Sequence, residues 1–228
     1  MNYDSRGFYY GNEWMSRAQM RVNAEYIYNY LSYPNWCGPE TGRRPCPAWT
    51  INAIAGFLGN LQTESNINPA IYESLNVDPS SGYGLVQWTP GSTFLNWAAA
   101  RNYENWSIPP QLWRLYWEEE QPDMDHGREW SVETRPGRLG PYDPYNLPRE
   151  IDFWTDTEHS AGWLAQAWLF NYERPASGWV SAEARYSNGE DWYNYLITLP
   201  PPHPVHGGKI WLYWKLRNLL KQKGVDYV

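Results

Sequence analysis

The chain has 228 residues, a net charge of −7 and an aromatic content of 18%, with 16 tryptophans and 19 tyrosines against 5 phenylalanines. The length suffices for the packed core of one large or two small domains, and the aromatic content excludes a disordered chain. The negative charge argues against non-specific nucleic-acid binding, and no apolar run approaches the roughly 18 residues of a membrane span.

A first helix is predicted after residues 1–15, a Gly- and Tyr-rich stretch with no clear period and without the basic-then-apolar pattern of a signal peptide. Ser16 is placed to cap this helix. Its buried face is indicated by Met20, Ala24, Ile27 and Leu31. Proline, glycine and cysteine then predict a loop over residues 32–49.

Cys37 and Cys46 flank part of this loop. The pair is consistent with a local disulfide under oxidising conditions and equally with two free thiols, and its spacing is not that of a zinc site. His203 and His206 form an HxxH pattern in a Pro/Gly-rich stretch. Because no other ligands cluster near them in the sequence, no metal site is predicted.

A second, buried helix is predicted after Thr50, a good N-cap residue. Its apolar positions keep a helical period: Ile51, Ile54, Ala55, Leu58 and Leu61. Gly56 and Gly59 each cost about 1 kcal/mol relative to alanine in a helix, so we expect another backbone to approach closely there. Glu64 follows the last apolar position and Pro69 prevents continuation, which places Glu64 at or near the helix C-terminus.

The middle of the chain predicts turns and short elements. Residues 80–84 have turn chemistry, and residues 85–89 are consistent with a short β-strand. Ser92 is placed to cap a helix that reaches Arg101. A further helix is predicted from about Pro109 to Glu120, and residues 121–156 are rich in loop formers.

The clearest helix ends before Pro175 and is followed by another over residues 181–196. Its apolar stripe consists of Ala161, Leu164, Ala165, Trp168, Leu169 and Tyr172. Residues 198–208 form a Pro/Gly linker, and Lys209–Lys223 is a cationic, Trp-rich helix candidate. All four lysines lie after residue 200, so residues 200–228 carry +4 and the remainder −11.

Glu64 is the strongest candidate for chemistry. The negative end of a helix dipole and an apolar surrounding both disfavour a carboxylate. The protonated form that a general acid needs is therefore favoured at this position. Taken alone, the residue is explained more simply as a surface glutamate in a helix-ending turn.

Three motifs change that balance. They are Asn52-Ala53-Ile54-Ala55-Gly56 with Gly59-Asn60, Glu64-Ser65 and Asn68-Pro69; Gly82-Tyr83-Gly84 with Gln87-Trp88-Thr89-Pro90; and Tyr172-Glu173-Arg174-Pro175. In this order they resemble the phage tail lysozyme domains of the lysozyme superfamily. The resemblance covers about residues 18–196. It implies a mainly α (α+β), lysozyme-like fold with a small β lobe, built from residues 1–199 with a core from about residue 16, and a C-terminal helical extension over residues 200–228.

The resemblance also implies a cofactor-free site for bacterial peptidoglycan, with Glu64 as the catalytic acid. Its implied substrate-binding residues are Asn60, Ser65, Tyr83, Gln87, Trp88, Tyr172 and Glu173. Tyr83 and Trp88 would pack on sugar rings, Gln87 would hydrogen-bond the sugar, and Tyr172 with Glu173 would close the cleft opposite the acid. The alternatives are core packing for Trp88 and Tyr172, and a structural amide for Gln87.

Glycoside hydrolysis usually needs a second carboxylate, about 6.5–9.5 Å away for inversion or about 5–5.5 Å away for retention. The candidates are Glu73, Asp78 and Glu173. We favour Glu73 because it lies just after the Asn-Pro pair, where similar domains often carry an acid. Some members of the superfamily work with a single acid and cleave by internal attack of a sugar hydroxyl, as lytic transglycosylases.

The resemblance therefore predicts a peptidoglycan hydrolase carried in the phage tail, acting on the host cell wall during genome entry. A soluble endolysin and an inactive structural or glycan-binding tail module are the alternatives. The cationic segment over residues 200–228 is expected either to dock onto other phage tail proteins or to fold back onto the acidic remainder of the chain.

Overall fold

A computed structural model describes residues 1–40, 46–120, 130, 145, 147, 149–173 and 179–203. The cationic helix predicted over residues 209–223, His206 of the HxxH pattern, the Arg174-Pro175 end of the third motif and most of the loop-rich stretch lie outside the described residues. None of the described helices combines the length and apolarity needed to cross a bilayer.

Helices dominate the described residues, and the bounds of most agree closely with the predicted periodicities; the short helix Glu150–Trp154 was not predicted and lies within the stretch expected to be rich in loops. They are α1 Arg17–Leu31, α2 Ile51–Ser65, α3 Ser92–Ala99, α4 Ile108–Glu119, α5 Glu150–Trp154, α6 Ala161–Trp168 and α7 Trp179–Leu196. Single 3₁₀ turns lie at Gly38–Glu40 and Glu73–Leu75, and a π-helical turn, Leu169–Glu173, continues α6. Strands β1 (Asn2–Asp4) and β2 (Phe8–Tyr10) form an antiparallel pair. The mainly α fold with a small β component is confirmed.

The caps explain where the two early helices begin. Ser16 accepts a hydrogen bond from the Gln19 backbone in a capping box, and Thr50 accepts one from the Ala53 N–H at 3.2 Å. The prediction for α3 is wrong by one residue, because Gly91 is the N-cap and Ser92 is already helical. That helix also ends at Ala99, before the predicted Arg101.

The strand predicted over residues 85–89 is wrong. Gly84 (φ 81°) and Gln87 (φ 51°) adopt left-handed backbone conformations, so the chain turns back and Tyr83 pairs with Trp88 in an isolated bridge. The regular strands lie instead within residues 1–15. Strands of three residues are too short to show the alternation by which a sequence indicates them.

The close backbone approach predicted for α2 is confirmed. A Cβ at Gly56 would lie 2.8 Å from the backbone nitrogen of Ala165 in α6, and one at Gly59 would lie 2.7 Å from that of Gly189 in α7. The two glycines therefore let α6 and α7 pack directly against α2. Helix α2 is the centre of the fold, and its last turn is held between these neighbours.

Replacing Gly59 by alanine is expected to lower the free energy of unfolding by about 1–2 kcal/mol, measured by urea denaturation. In an unobstructed helix the same change would raise the free energy of unfolding by about 1 kcal/mol. The sign of the change therefore shows whether α7 obstructs a side chain at Gly59. Ser187→Ala, at an exposed position of α7, is the control and should leave stability equal or slightly higher. A Gly59→Ala protein more stable than the wild type would contradict the packing described here.

Among the described residues, eight tryptophans belong to the core. Those buried are Trp36, Trp49, Trp88, Trp97, Trp130, Trp154, Trp168 and Trp192. Many pack edge-to-face or stacked, such as Trp36 against Trp154 with centroids 5.1 Å apart. By contrast, the Trp14 side chain is 55% exposed.

Cys37 and Cys46 are free, buried thiols, so of the two alternatives the structure has the one without a disulfide. The Cys37 backbone N–H donates to Cys46 Sγ at 3.1 Å. Burial raises the pKa of both thiols above the ordinary cysteine value. A reactive thiolate is therefore disfavoured at either position.

Candidate active site

Glu64 lies in the last turn of α2, as the sequence predicts. Asn66 ends the helix in a left-handed conformation (φ 53°), and its N–H donates to the Leu61 carbonyl. The Glu64 side chain is 21% exposed, and the side chain of the following Ser65 is buried. The carboxyl group thus sits at a partly open position at the end of a helix that is otherwise largely enclosed.

The contact that Glu64 makes is with a cation. Its Oε1 accepts a hydrogen bond from Nη2 of Arg185 on α7. The sequence indicated an apolar surrounding for this carboxyl group, whereas in the structure a guanidinium from another helix contacts it. Sequence reasoning missed Arg185 because 121 residues separate the pair along the chain.

Asn60 and Ser65, both predicted to bind substrate, have partners within the protein. Asn60 is fully buried, and its Nδ2 donates to the carbonyls of Gly56 and Ala165 at 3.0 and 2.9 Å. Ser65 Oγ donates to the Leu85 carbonyl at 2.8 Å. These side chains join the end of α2 to α6 and to residues 82–90, which we call the turn segment.

The turn segment directs its aromatic rings inwards. Tyr83 is 3% exposed and packs against Tyr72 with centroids 4.6 Å apart, while Trp88 is 6% exposed and stacks on Phe94. Gln87 is half-buried, and its Nε2 donates to the Gly84 carbonyl at 2.8 Å. In this geometry the two rings serve as core, and the Gln87 amide supports the turn.

A buried carboxylate joins the turn segment to the C-terminal half of the fold. Glu118 on α4 is 1% exposed and accepts hydrogen bonds from Arg114 Nε at 2.6 Å, from Trp88 Nε1 at 3.0 Å and from the Tyr172 hydroxyl at 2.9 Å. The i, i+4 spacing of Arg114 and Glu118 is visible in the sequence. Nothing in the sequence, however, indicates that the pair is buried or that it collects donors from two distant segments.

The three candidates for a second carboxylate lie in different settings. Glu73 is exposed, and its Oε2 accepts a hydrogen bond from the Gly82 N–H at 3.1 Å. Asp78 is also exposed, and hydrogen bonds from Ser80 lower its pKa. Glu173 accepts one from Trp168 Nε1 at 3.0 Å. Over the described part of the chain, none of the three is hydrogen-bonded to Glu64.

In the described residues, no group of three or more His, Cys, Asp or Glu side chains is placed to hold a metal ion. His203 of the HxxH pattern is tied through its backbone N–H to Asn29 Oδ1 at 2.9 Å.

Comparison with known proteins relates these elements to a family. A family model described as phage tail lysozyme matches residues 47–196. Morphogenesis protein 1 of Bacillus phage B103 is 37% identical over 192 residues, which are 83% of this chain and 43% of that protein. The chain therefore spans less than half the length of this relative. The range matched by the family model includes Glu64, the turn segment, Glu118 and Arg185.

Proposed function

The chain belongs to the phage tail lysozyme family, and we propose that it cleaves the glycan strands of bacterial peptidoglycan as a component of the virion. Glu64 is the general acid in this proposal. The observation that carries it is the position of this carboxyl group, partly exposed in the last turn of α2 and directly before Ser65, which is hydrogen-bonded to the turn segment. A lysozyme-type acid has to reach a glycosidic oxygen from a largely enclosed setting, and this is such a setting.

In the proposed reaction Glu64 donates its proton to the glycosidic oxygen as the bond to the anomeric carbon breaks. We further propose that Glu73 is the second carboxylate, since it is exposed and anchored to the turn segment by the Gly82 N–H. Were Glu73 dispensable, cleavage by internal attack of a sugar hydroxyl would take the place of hydrolysis. The substrate-contact roles of Tyr83, Trp88 and Tyr172 are less well supported, since their rings are buried.

The products of digestion test two parts of this proposal, namely that the glycan strands are cleaved and that they are cleaved by hydrolysis. Purified peptidoglycan incubated with the wild-type protein should release glycan fragments while its peptide cross-links stay intact, and Glu73→Gln should lower the rate. New reducing ends indicate a hydrolase, and anhydro ends indicate a lytic transglycosylase. Peptidoglycan left intact by the folded wild-type protein would favour an inactive structural or glycan-binding module instead.

We also propose that residues 1–199 form the peptidoglycan-degrading unit and that residues 200–228 dock it onto other phage tail proteins. The charge difference supports this role, because a segment of +4 is suited to an acidic partner. Particles assembled with a protein lacking residues 204–228 should then contain much less of it, measured by quantitative mass spectrometry. Undiminished incorporation would argue against docking by this segment. Absence of the full-length protein from particles would favour a soluble endolysin.

A further inference from the structure

We propose that Arg185 is the positioning residue of the candidate acid: it holds the Glu64 carboxyl group in the orientation from which that group reaches the substrate. This inference rests on the function proposed for Glu64. It goes beyond that function by giving the acid a specific partner on another helix.

The guanidinium of Arg185 is fixed by hydrogen bonds to two residues of α2. The side chain is 5% exposed, and while Nη2 donates to Glu64, Nη1 donates to Asn60 Oδ1 at 2.6 Å. Asn60 and Glu64 are one turn apart on α2, so one planar group links both positions. Exposed ion pairs lack such fixation and contribute little.

Asn60 is itself locked in orientation. Its Nδ2 donates to two carbonyls, those of Gly56 in its own helix and Ala165 in α6. The remaining amide oxygen must therefore face Arg185, where it accepts a hydrogen bond. A chain of contacts thus runs from the α6 backbone through Asn60 and Arg185 to the carboxyl group of Glu64.

The packing of α2 on α7 sets the distance that Arg185 has to span. Gly59 directly precedes Asn60, and Gly189 follows Arg185 by one turn. A Cβ at Gly59 would lie 2.7 Å from the Gly189 nitrogen and 3.1 Å from the Arg185 carbonyl oxygen, so there is no room for a side chain between the two backbones at this crossing. The absence of side chains there brings the Arg185 backbone close to α2.

Other charged side chains on the elements packed against α2 have different partners or face solvent. Arg17 donates to Gln62, Arg21 lies over Tyr195, Arg149 pairs with Asp152, Glu190 accepts from the Gly162 N–H, and Glu183 and Asp191 are exposed. Among the described residues, Arg185 is therefore the cation that contacts Glu64.

The expected effect follows from this fixation. Without Arg185 the Glu64 carboxyl group can adopt other orientations, so fewer bound substrates meet it in the geometry that proton transfer needs. Loss of Arg185 should therefore lower kcat, whereas KM, which depends on the groups that bind the sugar, should change little.

The experiment measures kcat and KM separately on soluble peptidoglycan fragments. Arg185→Met should lower kcat about tenfold or more with little change in KM. Arg185→Lys keeps a charged hydrogen-bond donor and should restore part of the lost kcat. Arg17→Met is the matched control, since Arg17 contacts α2 at Gln62 and does not touch Glu64; its kcat and KM should equal those of the wild type.

An unchanged kcat in folded Arg185→Met would overturn the inference, as would a loss of activity that appears in KM and not in kcat, or a kcat that is as low in Arg185→Lys as in Arg185→Met. If Arg185→Met fails to fold, Arg185→Gln, which keeps a hydrogen-bond donor without the charge, is read by the same criterion. A wild-type protein inactive on peptidoglycan, or a Glu64→Gln variant as active as the wild type, defeats the proposed function as well. Activity that depends on Glu64 and is unchanged in Arg185→Met defeats this inference alone.

Discussion

Replacement of Glu64 by glutamine is expected to lower the rate of peptidoglycan cleavage by about two to four orders of magnitude, the range associated with loss of a general acid. Glutamine has the size of glutamate and its oxygen can still accept the hydrogen bond from Arg185, but it has no proton to transfer to a glycosidic oxygen. Zymography and turbidity loss of purified cell walls measure the effect.

The fold should survive this change, because the Glu64 side chain is 21% exposed and its replacement is isosteric. Thermal unfolding of Glu64→Gln and of the wild type should agree within a few degrees. Glu183→Gln, which removes an exposed carboxylate two residues before Arg185, is the control and should retain full activity. Were Glu64→Gln to keep more than a tenth of the wild-type rate, Glu64 would not be the acid.

Glu118→Leu is expected to lower the free energy of unfolding by about 3–5 kcal/mol, which is the usual cost of breaking a buried ion pair by removing one partner. The change leaves the buried Arg114 guanidinium without its carboxylate. It also deprives Trp88 Nε1 and the Tyr172 hydroxyl of the acceptor that they share. Urea or guanidinium denaturation, with the wild type in parallel, measures the loss.

Two further variants separate the buried pair from a general effect of charge. Arg114→Met combined with Glu118→Leu should be less destabilised than Glu118→Leu alone, since no uncompensated charge remains in the core. Glu104→Gln breaks an ion pair with Arg6 in which both side chains are exposed, 51% and 40%, and should cost less than about 1 kcal/mol. A Glu118→Leu protein as stable as this control would contradict the burial described for Glu118.

The location of the candidate acid was predictable from the sequence for local reasons. Thr50 caps α2, an apolar period continues to Leu61, and Pro69 excludes continuation, so the position of Glu64 near the helix end depends only on neighbouring residues. The need for a close backbone approach at Gly59 was likewise visible from its unfavourable helix propensity. The partner helix was not visible, because propensity carries no information about what lies opposite.

The aromatic residues show where sequence reasoning stopped. A tryptophan or tyrosine with a polar edge suits a sugar-binding surface and also suits a core that supplies a hydrogen-bond partner. In this fold Trp88 and Tyr172 lie in the core, where Glu118 accepts a hydrogen bond from each of them. Motif matching could not distinguish the two, since the acceptor comes from a helix with no part in the motifs.

By itself, then, the sequence determined most of the helical elements, the position of Glu64 and the resemblance to a family, all of which depend on short-range periodicity and on motifs. It did not determine the contact between Glu64 and Arg185 or the convergence of Trp88 and Tyr172 on Glu118. The tertiary structure decided these, because each joins residues on separate helices or segments. Hydrogen bonds of this kind are set by how closely backbones pack, and so the orientation in which the candidate acid is held is a property of the assembled fold.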